Sequence, residues 1–361
     1  MKRSLSRMAF HQRSAGFTLI EILVGISILL IIILLSFQMI SGTSGVWISA
    51  NSKMAEGREA RVAFNGLVSR LSEATVNSYY GFTWQQSGTI TPPVYVPNTY
   101  TRHAELRFIS GISSSVSGLT TSSPTDAIFF VAPLGIVSDT TDYGHLPSLL
   151  NTCGYYVQWT NVDPDRPSIL PSANLPYRFQ LMQFVQPSEQ MSLYATTATG
   201  YPTFTQVTTS PAWQLTAMNN SPSGIRPIAH NVIALLMVPA MTTSDSSASL
   251  APNYLYSTET STLTAANSSL NRLPPVLRVV MYTIDDISAK RLGTSATMPN
   301  LYVDTGSNPI FTDATKLFPS TTTGDIGDLA RFEATLSSKH LTFRRFEAAV
   351  EFPRQPWNHT N

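Results

Sequence analysis

Glu21 is the residue of this chain best placed to do chemistry. It is the one carboxylate in an otherwise almost wholly apolar run, GFTLIEILVGISILLIIILLSFQMI, from Gly16 to Ile40. At 1.5 Å per residue, about 24 such residues form a helix of roughly 36 Å, enough to cross a bilayer. A carboxylate inside a span costs roughly 2.5 kcal/mol or more. Glu21 sits one helical turn inside the run, so it needs a partner, and an ionisable group there is a functional hypothesis by default.

No other residues converge so clearly. Asp139/Asp142, Asp163/Asp165 and Asp325/Asp328 are paired acids in loops. Calcium needs about six to eight oxygens, and no pair sits in a full EF-hand pattern. Helix caps and Asx-turns explain them more simply. His103, His145, His230, His340 and His359 are scattered, and a satisfied or exposed histidine is the simpler reading of each. There is no HExxH, CxxC, GxSxG or Walker-type loop. Cys153, the only cysteine, excludes an internal disulfide; in the strand-like CGYYVQW it reads as a small buried apolar residue. Trp47, Trp84, Trp159, Trp213 and Trp357 could line a carbohydrate or protein groove, but buried core anchors are the simpler reading. Sequons at Asn219, Asn267 and Asn358 arise by chance in a Ser/Thr-rich chain. The expectation is a non-enzyme with no catalytic residue, metal or cofactor.

Charge is sparse and unevenly placed. Charged residues make up 12% of the 361, which suits an exported, loop-rich β body. Lys2, Arg3, Arg7 and Arg13 give residues 1–16 a charge of +4; taken from the total of +1, this leaves −3 for the rest. A basic segment before an apolar span stays in the cytoplasm and places the chain beyond the span outside. The body shows no basic stripe, so no nucleic-acid partner is expected. A cleaved secretory signal would have a shorter apolar region with its cleavage site after it. A plain anchor would not need Gly-Phe followed four residues later by Glu.

Gly16, Phe17, Thr18, Leu19, Ile20 and Glu21, behind a short basic leader and ahead of an apolar helix, resemble the processing site of type IV pilins and type II secretion pseudopilins. The resemblance implies cleavage by a prepilin peptidase between Gly16 and Phe17, N-methylation of Phe17, and a role for Glu21 in filament assembly. It implies other pilin-like subunits and inner-membrane lipid as partners.

These residues need a helix to carry them and a body to hold that helix. SGTSG at residues 41–45 reads as a flexible joint that weakens the helix without having to end it. Beyond it, Phe64, Leu67, Val68, Leu71 and Thr75 fall on one helical face, with Ala50, Met54 and Ala60 as earlier members. The pilin resemblance favours one helix over about 17–77. The expected division is a leader at 1–16, a transmembrane helix at 17–40, its amphipathic continuation at 41–77 and a β-rich body at 78–361 outside the inner membrane.

In the body, strands are expected at Glu105–Ile109, Ala127–Ala132, Tyr155–Thr160, Tyr177–Val185, Val232–Val238, Val276–Ile284 and Leu341–Phe352. Ser110–Pro124, Thr196–Pro211, Thr242–Ser269 and Thr294–Gly324 read as long loops. Asp285-Asp286 caps a turn through Arg291, and Asp325 or Asp328 caps a helix through Leu336. Strands without βα alternation give an α+β fold with antiparallel sheets.

The segments beginning at Arg226, Leu273 and Arg344 are similar to J-type minor pseudopilins and W-type minor pilins. Together with Ile128-Phe-Phe, CGYYVQW from Cys153 and YRFQLMQF from Tyr177, they also resemble Verru_Chthon cassette protein C. The expected role is a minor pilin-like structural subunit. The alternative is a pilus-associated binding module, an adhesin or DNA-uptake subunit, on the same anchor.

Overall fold

The computed structural model describes residues 18–88, 94–116, 119, 123–161, 175–191, 213–241, 250–259, 269–319 and 325–352. They form an apolar N-terminal helix and an antiparallel α+β body. By internal contacts the chain divides into residues 1–54 and 55–361.

Helix α1 spans Leu19–Ser72 and runs unbroken through SGTSG. Thr43 Oγ1 there donates to Met39 O at 2.8 Å, the i−4 bond that lets a hydroxyl sit in a helix. The helix ends at Ser72, short of the expected residue 77. Thr75 N–H instead donates to Val131 O at 2.9 Å, which draws the chain onto the body, and Asn77 turns at φ 48°. Ala60, Ala63, Phe64, Leu67 and Leu71 are buried, whereas Ala50 and Met54, expected on the same stripe, are exposed.

The described residues of the body form three sheets. Strands β1 (Tyr79–Gln86) and β2 (Tyr95–His103) form a two-stranded ribbon. Strands β3 (Phe108–Ile112), β4 (Asp126–Ala132), β5 (Asn151–Thr160) and β6 (Arg178–Gln186) belong to the largest sheet. With β7 (Ile225–His230) and the short β9 (Tyr256–Ser257), they run in the order β7-β6-β5-β4-β3-β9. Strands β8 (Val232–Ala240), β10 (Val276–Ile284) and β11 (Phe343–Glu351) form a sheet of order β11-β10-β8.

Strand β4 is buried along its whole length because both faces of its sheet are covered. Ile128 and Phe130 enter the main core with Leu67, Leu71 and the inner residues of β8 and β10. Phe129 and Val131 enter a second core under helix α2 (Trp213–Asn220), with Trp213, Ala217 and Met218. A strand covered on both faces reads as a continuous apolar run, as AIFFVA does.

The helical half within the body is fastened by polar contacts as well. Glu56 Oε2 accepts Asp286 N–H at 3.1 Å, and Glu59 Oε1 accepts His230 N–H at 2.8 Å. Phe64 and Phe346 rings lie 5.7 Å apart.

Two further short helices lie among the described residues. Helix α3 (Asp286–Arg291) is capped by Asp285, which accepts Ser288 N–H at 2.9 Å. Helix α4 spans Asp328–Ser338, but neither expected aspartate caps it. Its N-cap is Gly327 at φ 82°, a conformation glycine takes without strain. Asp325 accepts Gly327 N–H at 3.2 Å, and Asp328 accepts Phe311 N–H at 3.1 Å.

Candidate functional site

The candidate site is the N-terminal end of α1. Gly16 and Phe17 lie outside the described residues. Thr18 opens the helix: its carbonyl accepts the Glu21 N–H at 3.1 Å and the Ile22 N–H at 3.2 Å. Glu21 is therefore in the first turn, where a carboxylate meets the positive end of the helix dipole and the unpaired N–H groups.

From Leu19 to Ile40 the helix has a mean hydropathy of 2.9 and none of it is buried within the chain. Leu19 is 81% exposed and Leu35 58%. Covering one such side chain is worth about 1.5–3 kcal/mol, so water is the wrong neighbour for this surface. Inside the run, Ser27 Oγ donates to Val24 O at 2.8 Å, so its hydroxyl brings no unpaired donor into an apolar setting. Glu21 carries the one carboxylate of the run; its side chain is exposed and has no hydrogen bond or ion pair to its own chain among the described residues.

The other groups that sequence singled out are not brought together. Asp139 closes an Asx-turn, accepting Thr141 N–H at 2.9 Å and Asp142 N–H at 3.3 Å. Asp163 and Asp165 lie outside the described residues. Asp325 and Asp328 both pair with Arg331, at 3.5 and 3.4 Å. His230 Nδ1 lies 2.9 Å from Glu59, and this contact holds the Glu59 carboxyl below its ordinary range against the opposing effect of burial. His103 stacks on Tyr79, His145 is exposed, His340 turns the chain after α4 at φ 54°, and His359 lies outside the described residues. Among the described residues no three His, Cys, Asp or Glu groups could hold a metal. Cys153 is buried, and burial pushes its thiol up to about 12.

Sequence reasoning missed Asp126. It is 1% exposed at the start of β4, and burial pushes its carboxyl up to about 8. An acid directly ahead of AIFFVA was the available signal. The tryptophans divide: Trp159 and Trp213 are core anchors, as expected, while Trp47 and Trp84 are 68% and 44% exposed. Trp357 and the sequons at Asn267 and Asn358 lie outside the described residues, and Asn219 is exposed at the end of α2.

Residues 11–37 match the prokaryotic N-terminal methylation motif. The motif implies a pilin-like protein that is processed by a prepilin peptidase, assembles with other pilin subunits and is anchored by its apolar N-terminal helix. No curated protein and no solved structure matches the chain.

Proposed function

We propose that this protein is a minor pilin-like, or pseudopilin, subunit of a type IV pilus or type II secretion-like filament. The observation that carries the reading is the methylation motif set directly on an unburied apolar helix that continues into a folded body. The body's partial likeness to J-type pseudopilins and W-type minor pilins supports a minor rather than a shaft subunit. The chain enters the inner membrane with its basic leader cytoplasmic and its body outside. The peptidase cuts between Gly16 and Phe17, and the new Phe17 amine is methylated. The body performs no catalysis.

Assembly then supplies what Glu21 lacks. The processed α-amino group, with an ordinary pKa of about 7.7–8.0, is largely protonated at neutral pH. A neighbouring subunit's amine, displaced along the bundle, neutralises Glu21. A subunit slipped in register would leave both charges unpaired in apolar surroundings, where removing one partner costs about 3–5 kcal/mol.

N-terminal analysis of protein co-expressed with a prepilin peptidase tests the first step; retention of residues 1–16 sinks it. Glu21→Ala tests the second. It is expected to insert and be cleaved normally but to cross-link poorly into filaments, and Glu21→Asp to rescue little because its reach is shorter. Full assembly of Glu21→Ala would mean that the carboxylate is merely solvated at the headgroup level.

A further inference from the structure

The β1–β2 ribbon stands apart from the two larger sheets, and its two faces are unlike. Residues paired across an antiparallel ribbon share a face, and alternate residues share a face along each strand. The register pairs Tyr80 with Arg102, Phe82 with Tyr100, Trp84 with Pro97 and Gln86 with Tyr95. These pairs put five aromatic rings on one face. The other face carries Tyr79 opposite His103, Gly81 opposite Thr101, Thr83 opposite Thr99 and Gln85 opposite Val96, with one tyrosine against the five rings of the first face.

The aromatic face is open. Tyr80 is 49% exposed, Phe82 52%, Trp84 44%, Tyr95 39% and Tyr100 62%. At about 200 Å² per ring, half exposed, that is about 500 Å², the size of patch that on a monomer is often functional. Among the described residues no third strand pairs with either strand of the ribbon.

The rings are also held in place. Tyr80 and Tyr100 stack at 5.8 Å with 22° between their planes, and Phe82 lies 5.0 Å from Tyr100. Arg102 spans the end of the row, its guanidinium 5.3 Å from the Tyr80 ring centre and its Nη2 donating to Tyr80 Oη at 2.8 Å. On the opposite face Thr99 N–H donates to Thr83 Oγ1 at 3.1 Å and ties the strands together at the bulge.

We infer that the Tyr80–Phe82–Trp84–Tyr95–Tyr100 face is a binding platform for a neutral glycan built of pyranose rings. Charge decides the class of ligand. Neither strand carries an acid, and the one guanidinium on the face is engaged by Tyr80. A nucleic acid, an acidic polysaccharide or a charged peptide finds little to pair with. A pyranose ring presents C–H bonds on its faces and hydroxyls around its rim. The C–H bonds suit the negative faces of aromatic rings, and the hydroxyls meet the polar tips of Tyr80, Tyr95 and Tyr100 and the amide of Gln86. Tyr80 to Trp84 covers about 14 Å of strand, room for more than one sugar. The platform does not depend on the assembly role or on Glu21.

The test uses the full chain in a zwitterionic detergent that contains no sugar. Retention on washed microcrystalline cellulose, curdlan and mannan is measured by pelleting, and a cello-oligosaccharide titration is followed by tryptophan fluorescence. The chain is expected to pellet with at least one of these neutral polysaccharides and to ignore alginate and DNA. Tyr80→Ala/Phe82→Ala/Tyr100→Ala should lower retention about tenfold or more with an unchanged circular dichroism spectrum. Should that variant lose its fold, Trp84→Ala is expected to weaken binding alone, and Tyr100→Phe to weaken it less than Tyr100→Ala, because the ring stays and only the hydroxyl is lost. The proposal is overturned if the chain stays in the supernatant with all three polysaccharides, or if folded variants bind as well as the parent. It is equally overturned if the substitutions abolish cross-linking between subunits and leave glycan retention untouched, because the face then belongs to a protein partner.

Discussion

Asp126 Oδ2 accepts the Met237 N–H at 2.7 Å, linking the first residue of β4 in the six-stranded sheet to β8 in the three-stranded one. Next to it, Thr125 Oγ1 accepts the Leu235 N–H at 3.1 Å, and Tyr302 donates its hydroxyl to Ile233 O at 2.6 Å. These groups lie on the side of β8 that faces away from β10. Side chains thus finish an edge that would otherwise leave backbone groups unpaired in the core.

The clamp makes stability depend on pH. The carboxyl of Asp126 is raised to about 8 by burial, against an unfolded value of about 3.9. Between these values the folded chain holds a proton that the unfolded chain has released, so stability falls as pH rises. The loss is about 1.4 kcal/mol per pH unit and stops above about pH 8. Asp286 and Glu59, both held below their ordinary range, act in the opposite sense at lower pH. The difference between parent and Asp126→Asn isolates the clamp, because the amide oxygen still accepts from Met237. Denaturant melts at about pH 5 and about pH 8 are expected to show the parent losing more than the variant. Equal losses would show that Asp126 does not titrate in this range.

Gly154 faces Phe129 across the β4–β5 pair. A Cβ there would fall on the Phe129 ring, which is fully buried and stacks 6.3 Å from Tyr156. The glycine is needed for space, since its backbone is ordinary strand. Gly154→Ala is expected to cost about 1–3 kcal/mol as overpacking, read as a lower denaturation midpoint with an unchanged slope. A variant as stable as the parent would mean that the second core under α2 yields easily.

Cys153 points into the main core, with burial keeping its thiol protonated near neutral pH. The thiolate is the reactive form, so a maleimide should leave the folded chain unmodified at neutral pH and label it completely in denaturant. Rapid labelling of the native chain would place this strand at a surface that opens.

The N-terminal helix and most of the core strands were legible because their signals are long and apolar. Val276–Ile284 falls where the alternation put it, and neighbouring strands differ by a few residues at their ends. The ribbon was not legible. Both its faces are largely exposed, so no buried face imposes an alternation, and Pro97 within β2 argues against a strand. Pro227 hid β7 in the same way, at a register shift on the sheet edge. Helix α2 is too short and too weakly patterned to declare itself. At the candidate site, Glu21 was readable because a charge in an apolar run is conspicuous. Asp126 was not, because its burial depends on β8, more than a hundred residues away in sequence.

The boundary between anchor and body gives the last prediction. By internal contacts the two units divide between Met54 and Ala55, within α1. Leu67 and Leu71 are fully buried, with Phe64 and Ala60 beside them in the main core. The last turns of α1 are therefore part of the body's interior. A chain of residues 55–361 is expected to be soluble and to melt cooperatively. One starting at residue 73 would lack all four side chains and uncover the part of the main core that they fill, so it should aggregate or remain unfolded. A milder form of the same test is Leu67→Ala in the full chain, with an expected loss of about 2–5 kcal/mol because the surrounding sheets cannot close the cavity. Circular dichroism melts of the three proteins decide the matter. If the chain starting at residue 73 folds as well as the one starting at residue 55, the helix only rests on the body and contributes no core.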